Sequence, residues 1–255
     1  METNLDAANR AGSLPVSGAT PHSETLVPAG VKVLPVAVIQ IGFWSAILSA
    51  FLAAGWAVAM IIQNAISPPT VWTGIQAFAS SFQFIQMLNL VFALPLAASF
   101  LVMMASIYFY AAEDKKIWAM LGLSFTLLYT VMATINYLVQ LVTVRISLIS
   151  SETEGLGLFV MGNQHSVFWA LANSYAYMSL AMLFAAWVFG SSRLERWIRW
   201  LFAIVGITAP IQLAGMLFQW GLVVGIPAGL IWSISVPLAC FLLAVLFRRA
   251  GQRAF

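Results

Sequence analysis

Six long apolar runs recur along the chain, and they restrict its fold more than any other feature. They cover residues 36–62, 84–110, 117–144, 166–189, 199–220 and 225–247. A helix rises about 1.5 Å per residue, so each run is long enough to cross the roughly 30 Å hydrocarbon core of a bilayer. Lipid cannot hydrogen-bond the backbone, so each span must be helical. The sequence therefore predicts an all-α, polytopic transmembrane helical bundle with six spans.

The composition agrees with lipid as the main surroundings of the chain. Of its 255 residues, 62% are hydrophobic and only 7% are charged, whereas a soluble domain carries about 25% charged residues. The net charge of +3 does not indicate nucleic acid, because Lys and Arg lie in short clusters between the runs and form no continuous basic face. The expected partner is the lipid bilayer.

The basic residues predict an orientation. With six spans, one side of the membrane receives eight of the 11 Lys and Arg residues, namely Lys115, Lys116, Arg193, Arg196, Arg199, Arg248, Arg249 and Arg253. Between the runs, the other side receives only Arg145. Because basic residues concentrate in cytoplasmic segments, both termini are expected in the cytoplasm and the protein in the cell membrane.

Three regions follow from this pattern. Residues 1–35 are rich in Ala, Ser, Thr, Pro and Gly and are predicted to form a disordered cytoplasmic tail. Residues 36–247 form the six-helix domain, and residues 248–255 a basic cytoplasmic C-terminal tail. Ser192 followed by Glu195 predicts a capping box at the start of the fifth helix.

Several kinds of chemistry do not fit the spans. No Asp, Glu, Lys or His lies well inside a run, which argues against a proton-coupled pump, a voltage sensor and a retinal protein. The two histidines, His22 and His165, do not suit a bis-histidine haem, and the single cysteine, Cys240, excludes a CxxC motif. No cofactor and no metal site are expected.

Neutral amides gather at the predicted outer ends of the helices. Gln86 and Asn89 are spaced i,i+3, and Asn136 and Gln140 are spaced i,i+4, so each pair shares one helical face. Asn173 lies in the outer half of the fourth run, and Gln63, Asn64 and Gln219 lie at helix ends on the same side. We expect the two pairs and Asn173 to line an outward-facing polar pocket.

The longest loop between runs, residues 145–165, is expected on the same side. It carries Arg145, Glu152, Glu154 and His165 beside Asn163 and Gln164. These side chains could form a lid over the pocket and take part in ligand binding, with a Glu and His as acid and base or, on a weak signal, as ligands for a metal ion. The alternative is that the loop is polar only because it is exposed to water at the membrane interface.

The central third of the chain resembles an uncharacterised family of multi-span bacterial integral membrane proteins. The resemblance runs from Tyr108 through Asn136, Tyr137 and Gln140 to Glu152, Glu154 and Gly155, and then over residues 163–165. It implies a membrane-spanning bundle and no particular activity.

Three functions remain open. The first is binding or sensing of a small or lipid-like molecule in the amide pocket, with transport as an extension. The one-sided amides favour binding, because alternating access places its site near the midplane. The second is a membrane-embedded isomerase or cyclase acting on an isoprenoid or lipid. The third is an accessory subunit of a membrane complex.

Overall fold

The computed structural model describes residues 34–68, 71–218 and 222–252, and over these residues it contains helices and no strand. The α-helices are α1 Val36–Ile66, α2 Ile75–Ser81, α3 Leu88–Tyr110, α4 Lys116–Leu138, α5 Arg145–Ile149, α6 Val167–Ala172, α7 Tyr175–Ala185, α8 Arg193–Leu217 and α9 Leu222–Gln252. A 3₁₀ turn, Phe84–Met87, leads into α3, and a π-helical segment, Val139–Val144, joins α4 to α5.

The predicted six-span bundle is confirmed. The helical segments long and apolar enough to cross a membrane are Val36–Ile66, Phe84–Tyr110, Glu113–Ile149, Val167–Val188, Arg193–Leu217 and Pro227–Gln252. Each overlaps one of the six apolar runs. The protein is an all-α, multi-pass membrane protein.

The six spans close into a ring. α1 packs against α3 and α9, α3 against α4, α4 against α7, α7 against α8, and α8 against α9. Large side chains such as Phe100, Met103, Tyr129, Met178 and Phe202 fill the interior and are fully buried. The arrangement places neighbouring spans of the sequence side by side, as short connections require.

The outer surface of the ring is apolar as well. Four of the spans contribute Trp44, Phe51, Leu127, Ile207 and Ile234, each of which exposes roughly half or more of its surface. A water-soluble protein rarely exposes so extensive an apolar surface. These faces are suited to lipid.

Small residues bring the helices close together. At Gly206 of α8, an ideal Cβ would lie 2.5 Å from the Cβ of Leu183 on α7 and 2.8 Å from its Cα. At Gly55 of α1, it would lie 2.5 Å from the ring of Phe92 on α3. Close approach of this kind supplies the van der Waals contact that holds membrane helices together.

The two ends of the bundle differ in character. We call the end that carries Lys115, Arg193 and Arg249 the basic end, and the opposite end, with residues 71–83 and 150–166, the loop end. The predicted capping box is present at the basic end, where Ser192 Oγ accepts from Glu195 N at 3.2 Å and Glu195 Oε2 accepts from Ser192 N at 3.3 Å.

The predicted tails fall partly outside the structure. Residues 1–33 and 253–255 are outside the described residues, while α9 continues through Arg248 and Arg249 to Gln252. The cytoplasmic location of both termini stays a prediction from the charge pattern.

Candidate ligand-binding site

A partly open cavity of about 540 Å³ lies at the loop end of the bundle. Its polar lining includes Gln63 from the last turns of α1, Gln86 from the 3₁₀ turn before α3, and Gln140 from the π-helical segment. Its apolar lining includes Trp72, Phe78, Phe82, Met87, Leu90, Val160 and Met161. Apolar walls with a few placed hydrogen-bonding groups are typical of small-molecule sites.

Gln140 fixes one wall of the cavity. Its Nε2 donates to the carbonyl of Phe159 at 2.7 Å, and its Oε1 accepts from the backbone N–H of Met161 at 3.0 Å. The side chain lies on the π-helical segment, an irregularity that often marks functional positions in helices. Both bonds tie the loop to the end of the third span.

Asn136 lies one helical turn below Gln140 and is fully buried. Its Nδ2 donates to Met161 Sδ at 3.3 Å, and its Oδ1 accepts from Gln140 Nε2 at 3.5 Å. The two amides therefore share one face, as their spacing predicts, and together they support the loop from beneath.

Gln86 joins the ends of the first two spans. Its Nε2 donates to Ser67 Oγ at 2.8 Å and lies 3.4 Å from the carbonyl of Ser81, while its Oε1 caps the backbone N–H of Gln83 at 3.5 Å. Asn89, one turn deeper, is buried outside the cavity lining, and its Oδ1 makes no hydrogen bond within the described residues.

Gln63 presents an unsatisfied acceptor. Its Oε1 is buried and has no hydrogen-bond partner in the part of the chain that the structure describes, although the residue lines the cavity. A buried acceptor without a partner costs about 1–3 kcal/mol, so such atoms are uncommon and call for an explanation.

Two segments form the walls around the mouth of the cavity. The first, residues 71–82, includes α2, which begins after Gly74 at a φ of +136°, a conformation favoured by glycine. The second, residues 156–162, follows the Glu152 to Gly155 turn. Gln76 Nε2 on the first segment donates to Thr153 Oγ1 beside the second at 3.0 Å. The loop therefore borders the cavity through Val160, Met161 and Gly162, and its role as a lid stays a prediction.

The charged residues predicted for the site lie elsewhere. Glu152, Glu154 and His165 are exposed, are absent from the cavity lining, and make no side-chain hydrogen bond or ion pair within the described residues. Arg145 begins α5, so the loop between the third and fourth spans starts at residue 150 rather than 145. The third span extends because the π-helical segment continues the helix past Val144.

The hydrogen bonds of the Arg145 and Asn173 side chains run to the preceding turns of their own spans. Arg145 Nε donates to the carbonyl of Leu141 at 3.0 Å, and its guanidinium carbon lies 6.0 Å from the ring centre of Phe84. Asn173 Nδ2 donates to the carbonyl of Trp169 at 3.0 Å and is absent from the cavity lining. Among the nine predicted site residues, Gln86 and Gln140 line the cavity, and Asn136 supports it.

An aromatic cluster lies inside the ring of helices, in the half of the bundle nearer the loop end. Tyr175 lies at its centre, with its ring 5.0 Å from Trp232, 5.8 Å from Trp56 and 6.1 Å from Tyr129. The hydroxyls of Tyr137 and Tyr175 are 2.6 Å apart, whereas the buried hydroxyl of Tyr129 has no partner within the described residues. The sequence did not reveal this cluster, because aromatic residues in spans also serve as ordinary packing.

The cavity lining supplies hydrogen bonds and apolar contact. Among the described residues that line it, none carries an ionisable acidic or basic side chain, and the described residues contain no group of three or more His, Cys, Asp or Glu side chains placed to hold a metal ion. An amphipathic molecule would find both kinds of contact there.

Comparison of the chain with protein-family models, with curated proteins and with solved structures finds no match. The similarity of the central third to multi-span bacterial proteins therefore stays an expectation.

Proposed function

We propose that the protein binds a small, uncharged, amphipathic molecule in the loop-end cavity. The observation that supports this most is the acceptor of Gln63, which is buried beside a cavity of about 540 Å³ and has no hydrogen-bond partner among the described residues. Small-molecule sites commonly span about 300–1,000 Å³. A donor group on the ligand would complete the hydrogen bonding of Gln63.

The absence of charge from the described lining supports an uncharged ligand. Gln63, Gln86 and Gln140 offer dipoles, and Trp72 and Phe78 offer apolar contact. Transferring an ion into such surroundings without a counter-charge is costly. A neutral molecule with one or two hydroxyl, amide or carbonyl groups on an apolar body matches the lining better.

Two observations support binding or sensing over the other functions. The polar lining lies at one end of the bundle, whereas alternating access places its site near the midplane. Glu152, Glu154 and His165 do not line the cavity, so the acid that an isomerase or cyclase needs has no candidate among its described lining residues. Docking to a partner subunit has no specific observation in its favour.

The test uses two neighbouring amides of α1. Gln63→Leu removes the unpaired acceptor, while Asn64→Leu, the matched control, changes an exposed amide that donates to the carbonyl of Met60 on its own helix. Each protein is purified in mild detergent, and retained small molecules are identified and titrated by mass spectrometry. We expect Gln63→Leu to weaken retention about tenfold, the value of one buried hydrogen bond, and to leave thermal stability unchanged or higher.

The control should retain the same molecule as the wild type. If Gln63→Leu and wild type retain the same neutral molecule with equal affinity, the acceptor is not used and the proposal is wrong. Retention of a charged molecule at this cavity would also contradict it.

A further inference from the structure

A second cleft lies at the basic end of the bundle, remote from the loop-end cavity. It has a volume of about 300 Å³ and lies between the first turn of α8 and the last turns of α9. Its lining includes three charged residues, Arg193, Glu195 and Arg249, beside Ser191 and Leu246.

The carboxylate in this cleft is already engaged. Glu195 Oε1 accepts from the hydroxyl of Tyr110, and Oε2 accepts from the backbone N–H groups of Gly190, Ser191 and Ser192 at 3.2, 2.5 and 3.3 Å. These donors close the start of α8 and hold the carboxylate in place. Glu195 is therefore a structural anion of the fold, fixed by four donors.

The two arginines of the cleft, unlike Glu195, are not held by other groups of the described residues. Arg193 and Arg249 are exposed, and neither makes an ion pair or side-chain hydrogen bond within the described part of the chain. They reach the cleft from different helices, α8 and α9. With Glu195 included, the formal charge of the cleft is 2 − 1 = +1.

Two guanidinium groups converging on one cleft suit a phosphate. Guanidinium is planar, presents several N–H donors and matches the oxygens of phosphate. Ser191 also lines the cleft, and its hydroxyl is a further possible donor.

We propose that this cleft binds the phosphate of an anionic phospholipid headgroup. We assign the phosphate to a lipid because the cleft lies at the ends of two membrane spans, with Leu194 and Leu246 in its lining. Trp197 and Trp200, on the same end of α8, expose 58% and 66% of their surface, and tryptophan is enriched where bilayer meets water. Basic pockets between spans bind anionic headgroups. This inference is independent of the function proposed for the loop-end cavity.

The experiment compares two double variants that remove the same charge. The test variant is Arg193→Gln with Arg249→Gln, and the control is Arg196→Gln with Arg248→Gln, two exposed arginines of the same helices that do not line the cleft. Purified proteins in neutral detergent are titrated with phosphatidylglycerol, and bound lipid is counted by native mass spectrometry. Phosphatidylcholine and inorganic phosphate are titrated in parallel.

We expect the test variant to bind phosphatidylglycerol about 30-fold more weakly than the wild type, at roughly fivefold for each arginine. The control should lose less than fivefold, and phosphatidylcholine should bind the wild type more weakly than phosphatidylglycerol. Equal losses in the two double variants would show a general effect of charge and overturn the site. If inorganic phosphate displaces the lipid at equal concentration, the cleft takes a free anion and the lipid assignment is wrong.

Discussion

Replacement of Gln140 by leucine tests whether one side chain holds the wall of the loop-end cavity. The leucine keeps most of the volume but removes the bonds to the carbonyl of Phe159 and the N–H of Met161, at 2.7 and 3.0 Å. Each such bond contributes about 0.5–1.5 kcal/mol net. The loop should therefore lose about 2 kcal/mol of local stability, which corresponds to about 30-fold more frequent opening.

Hydrogen exchange measures this opening directly, because the N–H of Met161 is itself one of the donors. We expect exchange across residues 156–162 to become about 30-fold faster in Gln140→Leu, with little change in the buried middle of α4. Asn173→Leu is the control, since its side chain bonds to Trp169 on its own helix. It should change local stability by less than about 0.5 kcal/mol.

Two results would refute the reasoning. The first is an unchanged exchange rate at Met161 in Gln140→Leu, which would mean that apolar contacts alone hold the loop. The second is equal acceleration in Asn173→Leu, which would mean that any lost amide at this end of the bundle loosens it.

Further predictions concern the interior of the ring, and thermal unfolding in detergent measures them all. Tyr129→Phe removes a buried hydroxyl that has no partner within the described residues and should leave the melting temperature unchanged or higher. Tyr137→Phe breaks the 2.6 Å bond to the partly buried Tyr175 and should cost about 1–3 kcal/mol; an equal effect of Tyr129→Phe and Tyr137→Phe would contradict this. Gly206→Ala places a Cβ 2.5 Å from that of Leu183, so it should cost about 1–3 kcal/mol. Gly229→Ala, whose added Cβ has no atom of the described residues within 4 Å, should cost nothing, and equal losses at the two glycines would refute the close packing of α7 and α8.

The fold was predictable because bilayer thickness fixes the length of an apolar run. The six apolar runs predicted the six spans, and most of their boundaries lie within a few residues of a helix end. The third span is an exception: it runs on through Arg145 to Ile149, because a long arginine at a helix end can extend its charge toward water. The sequence placed that residue in a loop.

The candidate ligand-binding site was only partly predictable from the sequence. The spacing of Asn136 and Gln140 put them on one helical face, and this face packs beneath the loop. The neighbouring amides Gln63 and Asn64 are different, since only the first lines the cavity. Neighbouring residues on a helix point about 100° apart, so the rotation of α1 about its axis decides which amide faces the cavity. Because α1 is apolar on most sides, that rotation depends on packing that the sequence pattern does not specify.

The wall formed by residues 71–82 was missed altogether. Its helix α2 has only seven residues, too few to be stable without tertiary contacts. The spacing of Ile75, Phe78 and Phe82, every three to four residues, was the available signal for an amphipathic turn. The positions of Glu152, Glu154 and His165 outside the cavity lining could not be predicted either, because a sequence does not tell which side of a loop faces a cavity.

Filling the loop-end cavity tests the proposed function most directly. Ala77 on α2 lines the cavity, whereas Ala79, two residues later on the same helix, does not. Mass spectrometry of molecules retained by the purified protein should find one neutral ligand on the wild type and on Ala79→Trp, and at least tenfold less of it on Ala77→Trp. Equal retention of that ligand by both tryptophan variants, or no ligand on the wild type, would contradict a binding site in this cavity.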